Sequence, residues 1–299
     1  MAETGDSLDF MARYNGWVVS RSLAVTPSTS PKDIALFLIS IREEVDKRAF
    51  QILGIDIKAI DAYSEKVTSK LPKGSYRELV GIYKTLGSPE VEEIVNRASS
   101  AREELKPFAK AYILRSALEK MGLDHYIRSG SRPFSGKAAW KQGAGLQSDG
   151  IVFMAKYRDW VSVKKMSITK DTKPEEVAAH LSSIRMATDR KAAQILGIDT
   201  DVLEAYATNF MGTMRKSAAN LEKITNAIGE AETMKEIESS CKGDKELRDA
   251  AKTYLFGVML NNLKLDLEVS PDTLMDMFPG LKIPKPKGNF GGKKKKKAQ

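Results

Sequence analysis

The sequence predicts a mostly helical, α+β protein built from two homologous tandem domains, each a small β-hairpin followed by a helical bundle. Three observations predict it. Residues Phe10 to Tyr63 align without a gap to Phe153 to Tyr206 at a constant offset of 143, with 24 identities in 54 positions. Each copy opens on a short segment with hairpin signals. Each continues into a long segment whose apolar residues recur at helical spacing.

The hairpin comes first. Asn15-Gly16 lies between Phe-Met-Ala-Arg-Tyr and Trp-Val-Val-Ser, and Asn-Gly supplies the two positive-φ residues of a tight hairpin turn. The second copy carries Arg158-Asp159 there. Phe10, Tyr14 and Trp17 also fit helical spacing, so a helix is the alternative for this segment. The long helix is predicted over about 32–53 and 175–196. Ser30-Pro31 provides an N-cap and a first-turn proline. Ile34, Leu38, Ile41, Val45, Ala49 and Ile52 form one apolar stripe. Gly54 and Gly197 suit the left-handed position just past a helix. Asp56 and Asp199 are placed to cap the next helix, predicted at about 57–70 and 200–216. Further helices are expected near 75–86, 89–105 and 107–121.

The match resumes after this region with the offset slipped to 142: Ala109-Lys110 and Tyr112 face Ala251-Lys252 and Tyr254. Each copy is therefore about 115 residues, enough for one core. The expected boundaries are 8–126 for the first domain, 127–149 for a Gly-rich basic linker, 150–268 for the second domain and 269–299 for a C-terminal extension with a lysine-rich tail. The tail has the composition of a disordered segment.

Charge is segregated. The formal net charge is +9, from 48 basic and 39 acidic residues. Eight lysines and no acid lie between Lys282 and Gln299. Removing them leaves 40 basic residues against 39 acidic ones, so the repeated body is close to neutral. A fold that reads nucleic acid with its own face usually shows a basic excess there. No stretch has the roughly 18 uncharged apolar residues of a membrane span. MAETGDSLDF lacks the basic and apolar regions of a secretory signal. Cys241 is the single cysteine, so no internal disulfide and no zinc cluster is expected, and a reducing cytoplasm is the expected compartment.

Few residues stand out as chemistry. Arg42 and Asp46 recur as Arg185 and Asp189. One helical turn separates each pair, which fits an intrahelical bridge orienting the helix. The alternative is a shared polar site, in an enzyme with a cleft between the copies. Trp17 and Trp160, with Tyr14 and Tyr157, form an aromatic set that could cap a small core or stack on bases. Gly130 to Lys137 resembles a phosphate loop, but five residues separate its glycines instead of four, and Ala138 follows in place of Ser or Thr. His125 and His180 occupy non-equivalent positions, and Cys241 has no histidine in a comparable motif, so no nucleophile or general base is assigned. No cofactor or metal is expected.

The phrases Phe153-Met-Ala-Lys-Tyr-Arg-Asp-Trp-Val-Ser-Val-Lys-Lys, Lys173-Pro-Glu-Glu-Val, Ser183-Ile-Arg, Asp189-Arg-Lys-Ala and Ile195-Leu-Gly-Ile-Asp199 resemble an uncharacterised archaeal family, a tandemly duplicated domain of unknown function found chiefly in methanogens. The resemblance covers both copies but not the tail. It implies an archaeal cytoplasmic protein and carries no activity, ligand or site residue with it.

The expectation is thus a non-enzymatic binding protein that associates with RNA, a ribonucleoprotein such as the ribosome, or another polyanion. Lys293, Lys294, Lys295, Lys296 and Lys297, with Lys285 and Lys287, would hold phosphates, assisted by Arg128, Arg132, Lys137 and Lys141 of the linker. The alternative is a protein–protein scaffold or regulatory protein whose tail is incidental.

Overall fold

A computed structural model describes residues 6–68, 88–121, 146, 148–212, 223–224 and 226–262. The first copy comprises β1 (Ser7–Tyr14), β2 (Trp17–Ala24), α1 (Pro31–Ile52), α2 (Ile57–Thr68), α3 (Pro89–Ala98) and α4 (Lys106–Met121). The second comprises β3 (Gly150–Tyr157), β4 (Trp160–Ser167), α5 (Pro174–Ile195), α6 (Thr200–Gly212), α7 (Ala231–Ser240) and α8 (Arg248–Asn262). The protein is mostly helical with a small antiparallel β element in each copy, as predicted.

The local signals act as their chemistry requires. Asn15 (φ 45°) and Gly16 (φ 78°) make the first hairpin turn, and Tyr14 pairs with Trp17 across it. The segment is therefore a hairpin and not the helix that the Phe10–Tyr14–Trp17 spacing also fitted. In the second copy Arg158 takes φ 52°, and its N–H donates to Asp6 Oδ2 at 2.9 Å. Ser30 Oγ accepts from the Asp33 N–H at 3.1 Å and caps α1. Gly54 and Gly197 hold φ of 91° and 97°, a conformation a side chain disfavours. Asp56 Oδ1 accepts from the Lys58 N–H, and Asp199 Oδ1 accepts from the Asp201 and Val202 N–H groups. One expected helix is shorter than its periodicity suggested. The helix predicted over 89–105 stops at Ala98; Ser100 and Ala101 adopt φ of 51° and 56°, and a 3₁₀ turn at Glu103–Leu105 leads into α4. The helix expected near 75–86, the linker over 127–145 and the tail lie outside the described residues.

The two hairpins form one sheet. Its order is β2-β1-β3-β4, antiparallel throughout, and β1 pairs with β3. Phe10 faces Phe153, its own counterpart in the repeat, and the register runs symmetrically outward from that pair. The arrangement is a pseudo-two-fold: the same strand from each copy meets itself, as in an isologous dimer interface. The rings repeat the relation, since Phe10–Trp17 and Phe153–Trp160 both show centroids 6.2 Å apart and planes at 48°.

One face of the sheet buries Leu8, Phe10, Ala12, Ile151, Phe153 and Ala155 against the helices. Above it α1 and α5 pack on each other more extensively than any other pair of helices. This explains why burial on α1 exceeds the predicted stripe: Ala35, Phe37, Ile39 and Phe50 are buried as well as Ile34, Leu38, Ile41, Val45 and Ala49. The core of each copy is continuous with the other in a single apolar cluster running from Leu8 to Met259. The size of one repeat allowed two separate cores; the shared sheet and the α1–α5 seam make them one. Truncating Phe153 to Ala at the centre of the β1–β3 pairing is expected to cost about 3–5 kcal/mol of stability. In urea unfolding followed by circular dichroism, both copies should shift together in one transition.

Candidate functional site

The polar residues shared by the copies lie in the α1–α5 seam. Arg42 Nη1 donates to Asp189 Oδ1 at 2.8 Å, and Arg185 Nε lies 3.5 Å from Asp46 Oδ1. The bridges run between the copies and are exchanged by the pseudo-two-fold. The intrahelical pairing inferred from the one-turn spacing is corrected to this reciprocal pairing, because α1 and α5 place each residue opposite its partner's counterpart. All four residues come together, yet as mutually neutralised charges in a helix seam. Asp189 also lines a pocket.

Each copy surrounds this seam with a matching network. In the first, Tyr112 on α4 donates to Asp61 on α2 at 3.0 Å, and Lys47 Nζ is 3.4 Å from the same carboxylate. In the second, Tyr254 on α8 donates to Glu204 on α6 at 2.7 Å, and Arg190 Nε is 3.0 Å from that carboxylate. Burial first, then the hydrogen bond to Glu204, raise the Tyr254 phenol well above the ordinary tyrosine value, so it remains a donor. Burial works to lower Arg190, but the Asp201 hydrogen bond at 2.5 Å and the Glu204 charge outweigh it and hold the guanidinium above its usual value.

The copies differ at one edge of the network. Arg115 on α4 donates to Asp46 Oδ1 at 2.6 Å and lies over the Phe50 ring at 5.5 Å. With Arg185 on its other side, the Asp46 side chain is only 2% exposed. At the offset of 142 that matches Tyr112 to Tyr254, the counterpart of Arg115 is Gly257. The Asp189 side chain is 21% exposed, and it borders a half-open pocket of about 390 Å³. Lys164, Arg190, Glu204, Tyr254 and Val258 also line it. The slipped offset was visible in the sequence; that it set a glycine against the one arginine sealing the seam was not, because nothing had placed Arg115 near Asp46.

The other expected site residues fall as follows. Trp17 and Trp160 are partly buried against the core. Trp17 Nε1 donates to Glu44 at 3.0 Å with Arg48 over its ring at 5.1 Å, and Lys191 lies over Trp160 at 5.3 Å. They cap the core edge instead of offering a stacking face. Arg21 Nη2 bonds Glu44 at 2.9 Å; burial lowers its guanidinium against the raising charge of Glu44. His180 is held below its ordinary value by burial and then by Lys164. Burial raises the Cys241 thiol, which keeps it a poor nucleophile. Among the described residues, no group of three or more His, Cys, Asp and Glu could hold a metal ion, and no helix is long and apolar enough to cross a membrane. Arg128, Arg132, Lys137, Lys141, Lys285, Lys287 and Lys293 to Lys297 lie outside the described residues, as do His125 and the Gly130–Lys137 segment.

The unequal sealing has a measurable consequence. Asp46→Asn removes the carboxylate charge that faces both Arg115 and Arg185 in the sealed half of the seam and is expected to cost about 3–5 kcal/mol. Asp189→Asn, at a site open to solvent, should cost distinctly less. Urea midpoints of the two variants, compared with an unchanged slope, check the order.

Comparison with known proteins agrees with the duplication. An uncharacterised protein of Methanocaldococcus jannaschii, MJ0596, is 28% identical over 120 residues, which is 40% of this chain and 84% of that protein. The relative therefore spans little more than one copy. The crystal structure of Pyrococcus furiosus PF2050, titled a member of the DUF2666 family, matches over 90% of this chain and 97% of its own, with 22% identity and a TM-score of 0.47. The model of the "Domain of unknown function (DUF2666)" matches twice, over residues 5–131 and 148–278. With both copies accounted for, the chain belongs to the DUF2666 family.

Proposed function

We propose that this chain is a non-enzymatic, cytoplasmic binding protein that associates with RNA or a ribonucleoprotein through its lysine-rich C-terminal segment, with the basic linker assisting. The observation that carries the reading is the segregation of charge: eight lysines and no acid from Lys282 onward, against a body that is nearly neutral. Such a segment gains affinity by releasing counterions from phosphates, without reading sequence. The body favours the same division of labour. Its shared charges are spent on one another across the α1–α5 seam, so they fix the register of the copies and leave the tail to supply attraction to a polyanion. The pseudo-symmetric body would then choose the partner.

A second reading is a protein–protein scaffold. It is favoured by the sheet face turned away from the helices, where Val18, Val161 and Val163 are 52%, 66% and 59% exposed. Alternation places Arg13, Lys156 and Lys165 on that face too. Nuclease treatment separates the readings: a stoichiometric protein partner that survives it supports the scaffold.

For the first reading, the full chain should bind single-stranded RNA with a logarithmic salt slope of up to about −5 to −6 if all eight lysines engage phosphates. A chain ending at residue 281 should lose most of that slope and most of the affinity. Filter binding at increasing salt measures both. Salt-insensitive binding, or no binding by either form, contradicts the proposal.

A further inference from the structure

We propose that the half-open pocket of the second copy binds a small monocarboxylate, whose carboxylate would take the place that the Glu44 side chain fills in the first copy. The first copy supplies the template. Glu44 Oε1 accepts from Trp17 Nε1 at 3.0 Å, and Glu44 Oε2 accepts from Arg21 Nη2 at 2.9 Å. Arg48 lies over the Trp17 ring and feels the charge of the same carboxylate. Arg21 also donates to the Ser40 carbonyl and feels the charge of Glu43. One planar carboxylate thus joins an indole N–H to a guanidinium, with a second cation beside it.

The second copy keeps the donors and lacks the acid. At the offset of 143, Trp160, Lys164 and Lys191 stand for Trp17, Arg21 and Arg48, whereas Met186 and Ala187 stand for Glu43 and Glu44. The indole is held as in the first copy: the Phe153–Trp160 rings repeat the Phe10–Trp17 geometry, and Lys191 covers Trp160 at 5.3 Å as Arg48 covers Trp17 at 5.1 Å. Among the described residues, Trp160 Nε1 has no acceptor and Lys164 has no ion-pair partner. The pocket opens at this place. Its wall includes Lys164, Ser183, Met186 and Ala187, the counterparts of Arg21, Ser40, Glu43 and Glu44. Its volume of about 390 Å³ falls in the range of small-molecule sites, roughly 300–1,000 Å³.

The chemistry of the wall selects the ligand. With both glutamates replaced, cations crowd here: burial and then Arg158 push the Lys191 ammonium below its ordinary value, Asp159 opposes them, and Arg190 adds to the lowering. An anion beside Trp160 relieves this crowding and gains charge-assisted hydrogen bonds. A carboxylate suits the place because it has one oxygen for the indole N–H and one for Lys164, as Glu44 has for Trp17 and Arg21. On the far wall Asp189 is paired with Arg42, and Glu204 with Arg190 and Tyr254. These paired acids call for no cation, and they disfavour a second negative charge on the ligand. Met186 and Val258 offer apolar surface to a short alkyl chain. The site is separate from the tail and does not depend on the RNA reading.

Sodium butyrate titrated into the full chain tests this by amide and indole N–H chemical shifts, with sodium chloride and inorganic phosphate at the same ionic strength as controls. The expected result is one saturable site per chain in the millimolar range, with shifts centred on the Trp160 indole, Lys164 and Ala187. Ala187→Glu, which supplies the missing carboxylate covalently, should weaken butyrate binding by more than about tenfold and move the Trp160 indole resonance toward its butyrate-bound position. Glu44→Ala should open the mirror-related space and raise the stoichiometry from one to two. Shifts no larger than those from chloride or phosphate, shifts centred elsewhere, or undiminished binding by folded Ala187→Glu would overturn the proposal. The shift map of the native chain decides the matter even if a variant fails to fold.

Discussion

The antiparallel pairing of β1 with β3 is the constraint on which the rest of the structure depends. Neither hairpin makes a stable sheet alone; a two-stranded ribbon is marginal in water. Joining them edge to edge makes four strands and buries Phe10 and Phe153 beneath α1 and α5. It also dictates the helix seam, because α1 and α5 follow their hairpins by equal connections and must meet across the same axis. The Arg42–Asp189 and Arg185–Asp46 bridges then fall into place as a symmetric pair. Buried charges of this kind contribute little net stability against apolar substitutes. What they do is penalise any other register between α1 and α5, since a shift strands charges in the core.

Duplication inside one chain frees the halves to differ. The first copy is internally complete: Arg115 seals Asp46, and Arg21 with Trp17 binds Glu44. The second carries smaller or differently charged residues at matching places, Gly257 for Arg115, Ala193 for Phe50, Ala187 for Glu44 and Lys164 for Arg21. Its frame is preserved by Tyr254, Glu204 and Arg190. One half reads as the buttress and the other as the half with room.

The features legible in the sequence were those set by local chemistry. Asn15-Gly16, Ser30-Pro31, Gly54 and Asp56 act within a few residues of themselves, and each does what its side chain predicts. The duplication was equally plain. What could not be read was how the copies meet. Alternation in β1 announces a strand with one buried face but not the identity of its second neighbour. Arg42 and Asp46 satisfy the spacing of an intrahelical pair, and that local sufficiency concealed the cross-copy partner. The break after Ala98 depends on Ser100 and Ala101 accepting positive φ, which their residue types do not advertise. Within the candidate site, the matched arginines and aspartates were visible in the repeat. Arg115, Tyr254, Glu204 and Gly257 gain meaning only once α4 and α8 are placed against the seam.

Native-state hydrogen exchange of the backbone amides in β1 and β3 tests the central claim most directly. If the copies form one body through this ladder, the amides around Met11 and Met154 will exchange only on global unfolding, as slowly as the most protected amides of α1 and α5. Exchange of the β1–β3 amides well before those helices open would mean that the halves part while each stays folded, and would contradict the account.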